Sequence, residues 1–381
     1  MADSERVYWL ALHRLAGVGS RRFKLLLAHF GSAKAAWRAG ERALRTVPGL
    51  PKEAVDSLID LRHRLEPEKE EASLAEMGIQ YLILEDPGYP QLLKQISDPP
   101  PVLYVKGCLS PEDANALAVV GTRLASGAGR YLTEELVKPL ACGGLTIVSG
   151  LARGIDTAAH TAALAAGGRT IGVLACGVDQ IYPRENCALA RRIVENGALV
   201  SEFPPGTLPL PGNFPARNRI ISGLALGTLV VEAPEASGAL ITAGFAVDQG
   251  RDVFAVPGDP LRRASRGTNG LIKQGAKLVE DHNDIWEELK PLLQFCGAGG
   301  ARRRGGDLPH HQTQLPLGME DRQMAGDAAQ ILRLLTEGPL HVDLLAQNSG
   351  LAISRVNAAL IYLQLAGKVQ ELDGNIFVQT P

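Results

Sequence analysis

Six short apolar runs constrain this chain more than any other feature. They read ALAVVG, LTIVSG, TIGVLACG, ALVSEF, TLVVEA and DVFAVPG, and they recur from residue 116 to 258 with helical stretches between them. A strand covered on one face alternates apolar and polar side chains. These runs do not alternate, which marks strands buried on both faces, as in a parallel sheet flanked by helices. The intervening helices finish at glycine, around Gly143–Gly144, Gly167–Gly168, Gly197 and Gly250. The predicted fold class is therefore α/β, a doubly wound parallel sheet.

A chain of 381 residues is too long for one ordinary domain. In the first ~65 residues Leu10, Leu15, Phe23, Leu26, Leu27 and Phe30 recur at helical spacing, punctuated by AGVGS and FGS. A second unit, LRTVPGLPKEAVDSL, repeats the apolar–Gly–apolar turn. This is either a pair of helix-hairpin-helix units of the SAM-like type, whose turn amides can hold a phosphate, or a helical bundle whose glycines only make turns. An acidic segment follows, with Pro99–Pro101 read as a stiff connection. Beyond the sheet, residues 295–318 are rich in Gly, Arg, Pro and His without periodicity, which reads as a flexible linker. Its Arg302–Arg304 are a solvated charge run or a DNA contact. Residues 326–381 read helix, turn, helix and a hairpin around LDGN, a winged-helix pattern. The expected domains are 1–70 (helical), 71–292 (sheet), 293–325 (linker) and 326–381 (winged helix).

A net charge of −2 carries no global signature of a nucleic-acid binder. Local charge is uneven: residues 1–64 hold twelve Lys/Arg against six Asp/Glu, and residues 66–115 hold three against ten. The tail, 327–381, is acidic on balance and has only Arg355 near the start of its second helix, so it reads as a protein-contact or regulatory module rather than a DNA reader. The five cysteines, Cys108, Cys142, Cys176, Cys187 and Cys296, form no C-x-x-C pair. That argues against a disulfide framework or a zinc site and for a reducing cytoplasm. No signal peptide and no membrane-length apolar run is evident.

In an open parallel sheet, ligands bind beyond the carboxyl ends of the strands. Here those ends carry anion-friendly turns. GTRLASGAGR brings Gly121 for close backbone approach, Arg123 as a forked donor and Ser126 as a helix cap. GLARGIDTAAH brings Arg153, with Asp156 expected to cap the next helix. VDQIYPREN adds Arg184, and FPARNR with SGALITAG adds Phe214, Arg217, Asn218, Arg219, Ser237 and Gly238. The bland alternative is that the arginines pair with Asp156, Glu185, Glu202 and Glu232 to hold loops together. Asp156 and His160 share a helical spacing that suits a capping carboxylate and a packed histidine better than a metal pair. No G-x-S-x-G, H-E-x-x-H or G-x-x-x-x-G-K-[ST] occurs. The strand ends read as a holder of an anion, with no catalytic residues, metal or cofactor.

The stretches VVGTRLASGAGR, IVSGLARGIDTAAH, VLACGVDQIYPREN and NFPARNRIISGLALGTLVVEAPEASGALITAGFAVDQGRDVFAVPG resemble the DNA-processing protein A (DprA/Smf) family, and the resemblance covers nearly the whole chain. It implies a SAM-like front, an extended Rossmann-like core and a winged-helix tail. It also implies a non-enzymatic homodimer that binds incoming single-stranded DNA in natural transformation, protects it and loads RecA on it. By the same resemblance Arg123 grips a phosphate, Arg184 stands where a DNA-contacting lysine is often found, Phe214 faces a base, and Ser237 and Gly238 form a turn near the strand. One position departs: Pro211 stands where members often carry a basic residue. The core is also similar to the lysine-decarboxylase-like (LOG) nucleotide 5′-monophosphate phosphoribohydrolases. Gly223, Gly227, Thr228 and Glu232 echo their glycine turn and glutamate, but the P-G-G is missing.

Overall fold

The computed structural model describes residues 3–15 and 19–293 and, in the tail, 330–335, 338, 340–351, 356, 359–360, 363, 368–372 and 376–379. The linker with Arg302–Arg304, the first glycine turn at 16–18 and Arg355 lie outside them. Two compact units divide near residues 298–299.

The first unit opens with six helices: α1 (Asp3–His13), α2 (Ser20–Phe30), α3 (Ala33–Arg38), α4 (Glu41–Leu44), α5 (Lys52–Arg62) and α6 (Pro67–Glu76). Helix α1 is central, since Val7 through Leu12 are all buried. Trp9 packs on Phe23 of α2 at 4.8 Å between ring centroids. Gly31 ends α2 in the left-handed region at φ 78°, and Ser32 caps α3 by accepting from the Ala35 amide.

This helical front shares one core with the sheet. Tyr81, Ile83, Val102 and Tyr104 belong to the same buried cluster as Trp9 and Leu12. They come from β1 (Gln80–Ile83) and β2 (Val102–Gly107), two strands in the stretch read from sequence as acidic segment and connection. Arg6 of α1 pairs with Asp86 just beyond β1. The prolines 99–101 lead directly into β2, with the Pro101 carbonyl accepting from the Leu84 amide at 3.0 Å.

The sheet has nine strands in the order β1-β2-β6-β5-β4-β3-β7-β8-β9. The remaining seven are β3 (Ala116–Val120), β4 (Thr146–Ser149), β5 (Thr170–Val173), β6 (Gly197–Ser201), β7 (Gly227–Val230), β8 (Asp252–Ala255) and β9 (Lys277–Leu278). From β6 through β9 neighbours run parallel, whereas β1–β2 and β2–β6 are antiparallel. The expected parallel sheet is thus a mostly parallel one with an antiparallel edge. Helices α7 (Gln91–Lys94), α8 (Gly127–Cys142), α9 (Ile155–Ala165), α10 (Cys187–Glu195), α11 (Asn213–Gly223), α12 (Gly238–Asp248), α13 (Arg266–Lys273) and α14 (His282–Leu289) complete the unit. Every residue of β3 to β7 is buried, which is the physical origin of the unbroken apolar runs. Along β3, Leu117 and Val119 face the layer of α8 and α9, and Ala116, Ala118 and Val120 face that of α11 and α12.

In the second unit, β10 (Leu340–His341), β11 (Val369–Leu372) and β12 (Ile376–Gln379) form an antiparallel sheet in the order β10-β12-β11. A helix at Val342–Ser349 follows β10, and Ile331, Leu345, Leu360, Leu363 and Phe377 share one core. The hairpin expected around LDGN is the β11–β12 pair. Cys108, Cys142, Cys176 and Cys187 are free thiols. No described helix is long and apolar enough to cross a membrane.

Candidate nucleic-acid interface

Successive strands run outward from β3 to β6, and the chain then returns to place β7 on the other side of β3. This reversal is the switch point of an open α/β sheet, where the loops after the two strands separate and leave a crevice. A cavity of about 650 Å³ sits there. Its walls are the loop after β3, the loop after β7, the start of α12 and the face of α11 that carries Phe214 and Arg217.

Of the residues singled out in the sequence, Gly121, Arg123, Phe214, Arg217, Asn218, Ser237 and Gly238 line this one cavity. Arg123 is exposed, and its guanidinium carbon lies 5.1 Å from the centroid of the Phe214 ring. Among the described residues no carboxylate or carbonyl holds that guanidinium. Tyr182 meets Phe214 edge-on, with centroids 5.8 Å apart and planes at 63°. The result is an aromatic pair beside a free fork of N–H donors.

Opposite them, Ser237 caps α12 by accepting from the Ala239 amide at 3.2 Å. The first turn of α12 contains no acid, so its positive end faces the cavity uncompensated. The two helices are tied together: the Asn218 amide donates to the Gly238 carbonyl at 3.2 Å, and Arg217 Nε donates to Asn218 Oδ1 at 3.3 Å.

Three of the other arginines are held by protein groups, and for Arg153 and Arg219 these are carboxylates that the bland alternative named. Arg217 is buried in the cavity floor and donates to the carbonyls of Gly150, at 2.7 Å, and Val173. Burial pushes its guanidinium down to about 10, against the opposing pull of Asp156. Arg153 makes a bidentate pair with Glu185, at 2.7 and 2.8 Å. Arg219 does the same with Glu202, both at 2.7 Å, and neither side chain is more than 15% exposed. Arg153, Arg219, Ser126 and Arg184 lie outside the cavity lining. Arg184 is exposed and has no ion-pair partner among the described residues.

Two expectations about turns change. Gly121 does permit close approach, but of the protein itself: a Cβ there would meet Ile155 at 2.5 Å and the Glu232 carbonyl at 2.9 Å. The N-terminus of α8 is occupied. Ser126 caps it through the Gly129 amide at 2.9 Å, while Glu232 Oε2 accepts the Ser126 amide at 2.9 Å and lies against Gly129. A carboxylate of the chain thus fills the position a phosphate takes at such a helix end. The glutamate that echoes the phosphoribohydrolases has a structural task. Asp156 is likewise no N-cap; Gly154 holds that place. Its Oδ2 accepts from the Gly150 and Ala152 amides, closing the loop after β4, and burial raises its carboxyl while Arg217 and those amides pull it back.

His160 is fully buried, with Nδ1 2.7 Å from the Thr170 hydroxyl. That hydroxyl gives its proton to the Ile147 carbonyl, so Nδ1 is the donor, and burial, which pushes its pKa down, keeps the ring neutral. Among the described residues no cluster of three or more His, Cys, Asp or Glu is arranged to hold a metal ion.

A family model described as DNA recombination-mediator protein A matches residues 80–290. The chain belongs to that family. A DprA-like N-terminal HHH domain model matches 3–70, and a DprA winged helix domain model matches 316–375. The chain is 38% identical over 392 residues to Protein Smf of Synechocystis, covering 98% of both chains. The X-ray structure of Streptococcus pneumoniae DNA processing protein A superposes with a TM-score of 0.65 at 35% identity, covering 74% of this chain and 97% of that one. A Helicobacter pylori DNA processing protein A, in a structure described as showing a single-stranded DNA binding mode, superposes at 0.51 and 31% identity, covering 56% and 98%.

Within this family frame, the residue that sequence reasoning missed is Tyr182. Its signal was present, an aromatic in the loop after an apolar strand, but nothing local tells that α11 brings Phe214 against it.

Proposed function

We propose that this recombination-mediator chain binds single-stranded DNA in the switch-point cavity, protects incoming DNA and loads RecA on it, acting in the cytoplasm as a homodimer without catalysis. One observation carries the DNA reading: Arg123, exposed and unpaired, stacks on Phe214, which Tyr182 meets edge-on. A phosphate takes the guanidinium fork while a base lies against the rings. The start of α12, through the Gly238 amide and the Ser237 turn, offers a second place for backbone oxygen. Arg184 adds charge at the rim. Arg153, Arg217, Arg219 and Ser126 shape the loops, and Asn218 ties α11 to α12. Gly121 allows the β3 loop to pass beneath Ile155. Nothing in this arrangement reads base edges, so the binding is tolerant of sequence. RecA loading, protection and dimerisation rest on family membership. The Helicobacter pylori relative supports the single-strand reading by its described binding mode.

The test is fluorescence anisotropy with labelled single- and double-stranded DNA at several salt concentrations. Preference for single strands is expected, with log Kd against log salt changing by about 0.7 per phosphate contact, or roughly 2 to 4 in all. Equal or tighter binding to duplex would overturn the reading. RecA filament assembly on coated DNA tests the loading step.

A further inference from the structure

We infer that a second groove, adjoining the cavity across Arg123, holds the next nucleotides of the bound strand; this rests on the single-strand reading above. Beyond Arg123 a groove of about 570 Å³ runs between α8 and α9. Arg123 and Leu124 line both spaces, so the two adjoin at these exposed side chains. The junction is tight: Gly154 has φ 77°, and a Cβ there would collide with the Thr122 carbonyl. The loops after β3 and β4 are thereby drawn together beneath Arg123.

The groove is built for a flat, uncharged body beside a negative one. Ala125, Gly154 and Ala158 keep the walls shallow. The hydroxyls of Thr157 and Thr161 donate to the carbonyls of Ala152, at 2.6 Å, and Thr157, at 2.7 Å. The one proton of each is thus committed, Thr157 Oγ1 also accepts from the Asn186 amide at 3.0 Å, and the two hydroxyls offer the groove no donor, only remaining acceptor lone pairs. Arg130 stands at the rim. It is exposed, and Nη1 donates to the Ala125 carbonyl at 2.7 Å, which aims the guanidinium without neutralising it. Glu134, the one carboxylate lining the groove, is paired with Lys138. Among the described residues no carboxylate pairs with Arg130. It therefore takes a phosphate, while the sugar or base of that nucleotide lies on the small-residue wall.

The experiment measures anisotropy of the full chain with a graded series of oligothymidylates. For the wild-type protein, affinity climbs with length until both grooves are filled. Arg130→Ala and, separately, Thr161→Trp, which fills the groove from an exposed position, should both cut this climb short. On the longest oligomer binding should weaken about five- to ten-fold, and Arg130→Ala should lower the salt slope by about 0.7. Circular dichroism melts establish that both variants fold. If Arg123→Ala weakens binding but neither groove variant alters the length dependence, the groove carries no DNA and the first site stands. An equal loss at every length also overturns the proposal, because it places Arg130 in the first site. If wild-type protein retains no single strand at any length, the functional reading fails and the groove fails with it.

Discussion

Arg123 in the loop after β3 and Phe214 in the first turn of α11, 91 residues later, meet with the guanidinium carbon 5.1 Å from the ring centroid. Their chemistries differ, so their losses should differ. Arg123→Ala should weaken single-strand binding for all sequences and flatten the salt dependence by about one phosphate contact. Phe214→Ala should cost about 1–3 kcal/mol of binding from lost stacking and leave the salt slope nearly unchanged. Anisotropy titrations at three salt concentrations separate the two.

Arg219 and Glu202 form a bidentate pair with side chains 11% and 15% exposed. Arg219→Ala leaves a largely buried carboxylate without its partner and should lower stability by about 3 kcal/mol. A double Arg219→Met, Glu202→Leu replacement should lower it much less, because no charge is stranded. Urea unfolding of both variants decides this. Single-strand binding by the folded Arg219→Ala protein should keep its wild-type salt slope, since the guanidinium holds loops and takes no phosphate.

Glu232 caps α8 from a neighbouring strand end, accepting the Ser126 amide at 2.9 Å. Glu232→Ala removes a hydrogen-bonded charge from the positive end of a 16-residue helix. A loss of about 1–3 kcal/mol is expected, visible as a lower urea midpoint. A variant as stable as wild type would show that water satisfies this helix end unaided.

His160 is buried neutral, with its pKa pushed down to about 3 by burial and then by Arg217. Between its ordinary value of 6.5 and about 3, the unfolded chain binds a proton that the folded chain refuses. The stability His160 contributes is therefore present above pH 6.5 and is lost as pH falls through that window, by up to about 1.4 kcal/mol per pH unit. His160→Gln should show a smaller drop in urea midpoint between pH 7 and pH 5 than wild type does.

The core and the tail should separate. A chain ending at Leu293 keeps the sheet and the switch-point cavity, so it should fold and retain most single-strand affinity. Ten-fold weaker binding at every salt concentration, about 1.4 kcal/mol, would place essential contacts beyond that residue. A loss confined to low salt would instead point to charges beyond Leu293, such as Arg302–Arg304.

The unbroken runs from Ala116 to Ala255 were legible as a buried parallel sheet because full burial on two faces leaves only apolar residues available. Ser126 was legible as a cap because capping is a local geometry within one turn. Strands β1 and β2 were not legible. Their burial comes from α1 and the helical front on one side, a packing that no short window of residues records, and Pro99–Pro101 masked the start of β2.

The arginines divide along the same line. Their placement at strand ends is a property of the sequence, and so is the family likeness. Which of them faces solvent is a property of the tertiary structure alone. Glu185 and Glu202 reach Arg153 and Arg219 from other loops, and the carbonyls of Gly150 and Val173 close over Arg217. Arg123 is left free and meets Phe214 only because β7 returns to the far side of β3. An ion pair or a stacked ring depends on distances across the sheet, and chain order does not contain them.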